Sequence, residues 1–140
     1  MALKTFKLTT NNSYDGGAMD AIASNSLDVA QGTLLSITGG FAVAAGIGTT
    51  IVGVSKDQKV FAADNQTVAK EKVNYHPAFT SARFRAPITG GTITAAKVGN
   101  LYDLNAAQVV NWATESPTTG QVRLEEFISA TVGIFSIANL

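Results

Sequence analysis

The stretch QVRLEEFISATVGIFSIANL, residues 121–140, carries the longest β-strand signal in the chain. Apolar side chains share one parity through it: Val122, Leu124, Ile128, Ala130, Val132 and Ile134. Successive side chains of a strand point to opposite faces, so this parity predicts strand structure with one buried face. Gly133 lies in the middle of the pattern and indicates a kink or a close approach by another backbone.

One acidic residue interrupts this pattern. Glu126 has the same parity as the apolar side chains. Either a β-bulge at Glu125–Glu126 resets the register, or Glu126 points inward and needs a cationic partner. We expect the bulge; under the alternative, the partner is one of Arg83, Arg85 and Arg123.

Shorter strand signals precede this stretch. Residues 33–37 (TLLSI), 41–45 (FAVAA) and 49–54 (TTIVGV) are mainly apolar runs, and residues 82–86 (ARFRA) alternate apolar side chains with arginines. Strand signals that recur every 8–12 residues or so are typical of sandwiches and barrels. We predict an all-β fold, a small antiparallel β-barrel or sandwich. At most one short helix is expected, at residues 104–113, where a strand is an equally good prediction.

The first 25 residues differ from the rest of the chain. They are rich in Gly, Asn and Ser and have no sustained period. Such a composition is typical of a disordered tail, or of an extended segment held by another chain or by the protein's own sheet edge. Residues 3–8 (LKTFKL) alternate and favour the extended segment. We therefore divide the chain into an extended N-terminal arm, residues 1–25, and a single β-barrel-like domain, residues 26–140.

Composition excludes several classes of function. The chain has no Cys and only one His, His76, which excludes disulfide scaffolds, thiol chemistry and Cys/His zinc sites. No cofactor or metal is expected. Ten basic and ten acidic residues give zero net charge, so there is no broad basic field for nucleic acid or an anionic membrane. Charged residues make up 14% of the chain, against a typical ~25%, which favours a surface partly covered in an assembly.

A glycine-containing phrase occurs twice, as ITGG at residues 37–40 and again at residues 88–91. Neither copy continues with the lysine and hydroxyl residue of a P-loop, and neither precedes the helix that a dinucleotide fingerprint requires. Glycine supplies the positive φ of tight hairpins. Both copies are therefore predicted to be hairpin turns, and their likeness raises the hypothesis of an internal duplication.

No catalytic constellation is recognisable in the sequence. His76 precedes Pro77 and is typical of a turn, and the common hydrolase, metalloprotease and calcium-loop motifs are missing. The carboxylates are scattered along the chain, so a glycosidase pair has no support. We expect the protein not to be an enzyme.

Two small groups of side chains remain as candidate binding residues. Tyr102 and Trp112 form either core packing, which we favour, or a platform on which a sugar ring stacks. Arg83 and Arg85 share one face of a strand. That face is either solvated and ion-paired or part of an interface with another protein.

Several phrases of the sequence resemble small structural proteins of tailed bacteriophages, the capsid decoration or cement proteins. The most specific are VGNLYDL, residues 98–104, and GQVRLEEFISATVGIFSI, residues 120–137. VAQGTLLSITGGFAVAAG, residues 29–46, and TVAKEKVNYHPA, residues 67–78, fit the same layout. The resemblance covers residues 27–137.

This resemblance implies a β-barrel-like, often trimeric protein that is made in the host cytoplasm and lies on the outside of the virion capsid. The implied partners are the major capsid protein and further copies of the chain, with no nucleic acid and no membrane. Members of the family commonly reach neighbouring subunits with a terminal arm, for which Phe6, Leu8 and Tyr14 would supply the apolar anchors. The expected function is non-enzymatic stabilisation of the head.

Two further roles remain open for a protein of this kind. The first is a virion β-domain that binds host glycans through Tyr102 and Trp112. The second is a structural component of the tail or neck with the same fold.

Overall fold

A computed structural model describes residues 6–8, 19–78, 82–115 and 119–138. The fold is all-β, as predicted. The strands are β1 (Lys7–Leu8), β2 (Met19–Ile22), β3 (Asp28–Val29), β4 (Leu34–Thr38), β5 (Phe41–Ala44), β6 (Gly53–Ser55), β7 (Lys59–Val60), β8 (Lys72–Pro77), β9 (Phe84–Thr89), β10 (Leu101–Tyr102), β11 (Val110–Asn111), β12 (Val122–Phe127) and β13 (Val132–Ile137). Helical conformation in these residues is limited to single turns, a π-helical turn at Asn65–Ala69 and 3₁₀ turns at Ala95–Lys97 and Trp112–Thr114.

The strands form two main sheets and a small ribbon. The five-stranded sheet is antiparallel and has the order β2-β8-β6-β4-β5. The six-stranded sheet has the order β1-β9-β13-β12-β10, and β11 pairs with β9 in parallel. β3 and β7 form a two-stranded ribbon. Of the two predicted architectures, the arrangement fits the sandwich, because the two sheets do not close into one barrel.

The five-stranded sheet is the middle layer of the molecule. On β4, Leu34 belongs to a core cluster shared with Phe84 and Phe135 of the six-stranded sheet. The next residue, Leu35, belongs to a second cluster that includes Phe61 beside the ribbon. Neighbouring strand residues point to opposite faces, so β4 is buried on both sides. This explains why the adjacent residues Leu34 and Leu35 are both apolar instead of alternating with polar residues.

β12 and β13 form an antiparallel pair within residues 121–140. Their register shifts between Leu124 and Glu126, where a β-bulge adds Glu125 as an extra residue. Leu124 is fully buried whereas Glu126 is exposed, so the bulge moves Glu126 out of the buried phase. The bulge is therefore confirmed, and the alternative of an inward-pointing Glu126 is wrong.

The described part of the predicted N-terminal arm belongs to the domain itself. β1 pairs with β9, and β2 pairs with β8, so segments from residues 1–25 contribute strands to both main sheets. The Phe6 side chain is 1% exposed and packs edge-to-face on Phe84, with 6.3 Å between the ring centroids. Phe6 is thus a core residue of its own chain, and its assignment as a partner anchor is wrong. Tyr14 and the Leu8 side chain lie outside the described residues.

Residues 104–113 do not form a helix. Gln108 has φ 62°, a left-handed conformation that cannot continue a right-handed helix. β11 follows at Val110–Asn111, and the chain then makes the 3₁₀ turn at Trp112–Thr114. The alternative prediction of a strand in this segment is therefore correct for Val110–Asn111, because these two residues pair with β9.

The first ITGG phrase is the tight hairpin that the sequence predicts. Gly39 and Gly40 have φ 60° and 89° and form the two-residue connection between β4 and β5. Positive φ at both central positions is the geometry of a type I′ turn, which matches the twist of paired strands.

The second ITGG phrase is not a hairpin. Gly90 follows the end of β9, whose partners are β1, β13 and β11, so the strands on either side of this phrase do not pair with each other. A Cβ atom at Gly91 would lie 2.5 Å from Cδ1 of Trp112. The glycine here leaves room for an aromatic ring. The hairpin prediction is wrong for residues 88–91, and the duplication hypothesis loses its basis.

Buried glutamine side chains fasten a loop to the six-stranded sheet. Gln121 is fully buried, and its Nε2 donates to the carbonyl oxygens of Gly46 and Thr49 at 2.8 and 2.9 Å. Its Oε1 accepts from the backbone N–H of Leu104 at 3.1 Å. A second buried glutamine, Gln108, joins the same region to β4. These bonds satisfy backbone groups that have no strand partner.

Candidate functional site

All three arginines of the chain lie on one side of the six-stranded sheet. β9 buries Phe84, so Arg83 and Arg85 point to the opposite side. β12 buries Leu124, so Arg123 points outward in the same way. We call this surface the arginine face and define it by Arg83, Arg85, Arg123, Glu125, Glu126, Ile134 and Ser136.

Strand register fixes the layout of the arginine face. Arg85 of β9 pairs with Ile134 of β13, which pairs with Glu126 of β12. Arg123 of β12 pairs with Ser136 of β13. With neighbouring strands about 4.8 Å apart, β9 and β12 lie about 10 Å apart on either side of β13. Arg85 and Arg123 are also offset by two residues along the strands, since their rows pass through Ile134 and Ser136. Three adjacent strands therefore present these side chains on a rigid backbone.

Glu125 organises one edge of the arginine face. Its Oε1 accepts a hydrogen bond from the Ser136 hydroxyl at 2.7 Å, and its Oε2 lies 3.8 Å from Nη2 of Arg83. Arg83 and Glu125 are half-buried, with side-chain exposures of 33% and 24%. This pair neutralises Arg83. Arg85 and Arg123 are exposed and form no salt bridge with the described residues.

Arg123 and Glu125 were not singled out as interface residues from the sequence. The alternation around Leu124 already places Arg123 outward. The same alternation places Glu125 outward, and the bulge adds Glu126 to that side; only the paired strands show which arginine Glu125 meets. Arg83 and Arg85 do share a face, as predicted, and that face is ion-paired at Arg83 and exposed at Arg85.

Tyr102 and Trp112 are brought together, but not as an open platform. Their rings stack with centroids 4.1 Å apart and an interplanar angle of 10°. Tyr102 is fully buried, whereas Trp112 is half-buried and packs against the core. Core packing is therefore the use of Tyr102, and Tyr102 has no surface left for a sugar. Trp112 has one ring face covered by Tyr102.

The Tyr102 hydroxyl is buried without a well-formed hydrogen bond among the described residues. Burial, followed by the nearby Glu115 carboxylate, raises the pKa of Tyr102 to about 12. Glu115 in turn accepts from Lys97 Nζ at 2.9 Å and from Asn100 Nδ2 at 2.7 Å. The Lys97 hydrogen bond is the main cause that lowers the pKa of Glu115. The phenol thus remains neutral in ordinary buffers.

His76 lies on β8 rather than in a turn, and it is half-buried opposite Val54. Burial, followed by the charge of Lys56, lowers the pKa of His76 below its usual value. The imidazole is therefore neutral at pH 7. No hydroxyl nucleophile or carboxylate is hydrogen-bonded to it among the described contacts, so the geometry gives no support to a catalytic role.

A shallow cleft of about 530 Å³ lies beside the arginine face. Its lining residues are Gly48, Leu101, Asp103, Thr119, Gly120, Arg123 and Ala138. Arg123 belongs to both the cleft and the arginine face. The cleft therefore extends the polar surface around Arg123.

A second surface is distinguished by its lack of charge. Residues 29–55 contain no Asp, Glu, Lys or Arg. Within this segment, Ile37 is 41% exposed and Ile47 is 59% exposed. We call the exposed part of residues 37–50 the uncharged hairpin. Exposed apolar side chains without neighbouring charges are typical of surfaces that become covered in an assembly.

Metal sites and membrane-spanning helices are two further possibilities. The described part of the chain contains no group of three or more His, Cys, Asp or Glu side chains placed to hold a metal ion. Among the helical segments described, none is long and apolar enough to cross a membrane.

No family model matches the sequence, and no curated protein matches it. The resemblance to phage decoration proteins therefore remains a hypothesis based on the quoted phrases.

Proposed function

We propose that the chain is a non-enzymatic structural protein of a bacteriophage virion that binds the major capsid protein on the outside of the head and stabilises it. One observation carries the proposal. The two phrases with the most specific resemblance, residues 98–104 and 120–137, contain β10, β12 and β13, which are adjacent strands of one sheet. They form one continuous part of that sheet, the kind of unit that a contact with a lattice would use.

The physical basis of head stabilisation is mass action. A protein that binds only the expanded shell lowers the free energy of that shell, by an amount that grows with its free concentration relative to Kd. Repetition over a lattice makes modest contacts collectively large. Such a protein should be rigid, because ordering flexible loops and side chains on binding costs free energy and reduces affinity. The buried Gln121 bonds between a loop and the six-stranded sheet favour such rigidity.

Self-association is the second part of the proposal. The uncharged hairpin, with Ile37 and Ile47 exposed, supports a protein that covers part of its surface with another copy. We propose a homotrimer. Native mass spectrometry should give a mass of about 43.5 kDa, three times the 14.5 kDa of the chain. A hexameric mass would contradict the trimer and favour a place in the tail or neck.

Binding of the purified protein to isolated phage heads tests the proposed function. Purified protein is mixed with expanded heads and with unexpanded shells of the phage that encodes it, and bound protein is measured by co-sedimentation. We expect saturable binding to expanded heads only, and a higher temperature of DNA release from coated heads. Binding to neither shell would contradict the proposal. Specific binding to a glycan array, lost in Trp112→Ala, would favour the glycan-binding role instead.

A further inference from the structure

We propose that the arginine face is a docking surface for carboxylate side chains of another protein, with Arg85 and Arg123 each receiving one carboxylate. Under the proposed function this partner is the outer surface of the capsid lattice, and the inference rests on that function only for the identity of the partner. The chemistry of the face rests on the residues themselves.

The distribution of cations on the chain favours carboxylate recognition. Seven lysines are spread over the sequence, whereas all three arginines converge on this one face. A guanidinium group presents a planar fork of N–H donors that matches both oxygens of a carboxylate, which the compact ammonium group of lysine does not. Arginine is also enriched at the energetically important positions of interfaces.

One arginine of the arginine face is paired with a carboxylate of the chain, and the other two are available to a partner. Glu125 is bonded to Ser136 and paired with Arg83, so Arg83 already has its carboxylate. Arg85 and Arg123 form no salt bridge with a described residue. The Arg83–Glu125 pair shows that a carboxylate is accommodated beside an arginine on this face, here as an ion pair at 3.8 Å that uses one carboxylate oxygen.

The floor of the arginine face suits an interface. Ile134 and Ser136 lie on β13 between the two available arginines, and they are 9% and 2% exposed. Each lies on the middle strand of a three-strand unit, so the floor has little freedom to move. Because Ile134 and Ser136 are already covered by neighbouring side chains, a partner would rest on those side chains and exclude water from its ion pairs with Arg85 and Arg123, which strengthens them.

The charge balance argues against a nucleic-acid partner. Three arginines and two glutamates give the arginine face a net charge of only +1. Glu126 lies in the same cross-strand row as Arg85, so the positive charge does not form the continuous track that a phosphate backbone needs. Nucleic-acid binding depends on many simultaneous phosphate contacts, which this face does not offer. Mixed charge of both signs is instead the pattern of a specific protein interface.

Charge reversal tests the inference on heads. The variant Arg85→Glu/Arg123→Glu is compared with Lys56→Glu/Lys70→Glu, which changes the net charge equally on exposed residues outside the arginine face. We expect the arginine variant to bind expanded heads at least about tenfold more weakly and the lysine variant to bind within about twofold of the wild type. Circular dichroism and the Tm establish that both variants are folded.

A double substitution of arginine by lysine distinguishes the paired N–H donors of the guanidinium group from its positive charge. Arg85→Lys/Arg123→Lys keeps both positive charges and loses the paired N–H geometry. We expect binding between that of the wild type and that of the charge-reversed variant. If the wild type binds heads and the charge-reversed variant binds equally well, the arginine-face inference is overturned while the proposed function stands.

A second experiment applies if the wild-type protein does not bind heads. That result by itself contradicts the proposed function. The arginine Nε–Hε signals of the isolated protein are then followed by NMR during titration with polyglutamate and, separately, with duplex DNA. Shifts of Arg85 and Arg123 with polyglutamate, lost on charge reversal, support the carboxylate chemistry. No shift with polyglutamate, or tighter binding to DNA, overturns it.

Discussion

Gln108 pairs with both backbone groups of Leu34, although the two residues are 74 positions apart in the chain. Its Oε1 accepts from the Leu34 N–H at 2.8 Å, and its Nε2 donates to the Leu34 carbonyl at 2.8 Å. The same Nε2 donates to the carbonyl of Ala45 at 2.9 Å. The amide thus bonds to β4 as a neighbouring strand would. These bonds hold Gln108 in its left-handed backbone conformation.

Replacing the Gln108 amide should lower the stability of the fold. Gln108→Leu removes three hydrogen bonds, including those to the Leu34 N–H and the Ala45 carbonyl, whereas the Leu34 carbonyl still accepts from the Ala45 N–H at 2.9 Å. We expect the free energy of unfolding to fall by about 3 kcal/mol, measured by urea denaturation. Gln58→Leu, at an exposed position, is the control and should change it by no more than about 0.5 kcal/mol. Equal stability of the two variants would show that the Gln108 bonds do not hold the sheets together.

The N-terminal segment should stabilise the isolated chain. Phe6→Ala empties a core site beside Phe84 and should lower the free energy of unfolding by about 3–5 kcal/mol. The control is Phe127→Ala, at a side chain that is 42% exposed, where about 1 kcal/mol or less is expected. A Phe6→Ala variant of unchanged stability that no longer binds heads would contradict the core assignment and restore Phe6 as a partner anchor.

Gly91, in the second ITGG phrase, should control the environment of Trp112, the only tryptophan of the sequence. In Gly91→Ala the added methyl group would meet Trp112 at 2.5 Å, so the indole must move away. We expect a red shift of the fluorescence emission and a loss of about 1–3 kcal/mol of stability. Gly46→Ala adds a methyl group with only a 3.7 Å contact and should leave the emission unchanged. An unshifted spectrum in Gly91→Ala would refute the close packing on Trp112.

The buried phenol should make stability depend on alkaline pH. The pKa of Tyr102 is raised from 10.0 to about 12, so the unfolded chain loses this proton at lower pH than the folded chain. The resulting stability is fully present below pH 10 and is lost as pH rises through about 12. Relative to Tyr102→Phe, the wild type should lose about 2–3 kcal/mol across this window.

Alkaline urea denaturation of the wild type and Tyr102→Phe measures that difference directly. Glu115→Gln is a further comparison, because removing the carboxylate removes one cause of the raised pKa. Absorbance titration should then show Tyr102 ionising at lower pH than in the wild type. Parallel stability curves for the wild type and Tyr102→Phe between pH 9 and 12 would contradict the raised pKa.

Local patterns predicted those parts of the fold that depend on alternation. The alternation of Phe84 with Arg85 on β9, and with Arg83 immediately before β9, is correct, because one face of that strand meets the core and the other does not. The bulge at Glu125 followed from the same reasoning, since a charge in the buried phase is costly unless the register changes.

The remaining features depend on contacts between residues far apart in sequence. Two identical ITGG phrases take different shapes because one connects paired strands and the other packs on Trp112. Phe6 belongs to the core because Phe84 offers it an apolar site, which no local pattern of an Asn- and Gly-rich segment indicates. The outward group of three arginines likewise emerged only once β9, β13 and β12 were placed side by side.

The location of the chain in the virion tests the central claim most directly. Purified virions of the encoding phage are treated with increasing concentrations of mild denaturant, heads and tails are separated, and each fraction is analysed by gel electrophoresis and mass spectrometry. We expect the 14.5 kDa chain to be released from heads before the major capsid protein, in many copies for each head. Recovery of the chain only with tails, or its absence from the virion, would contradict the account.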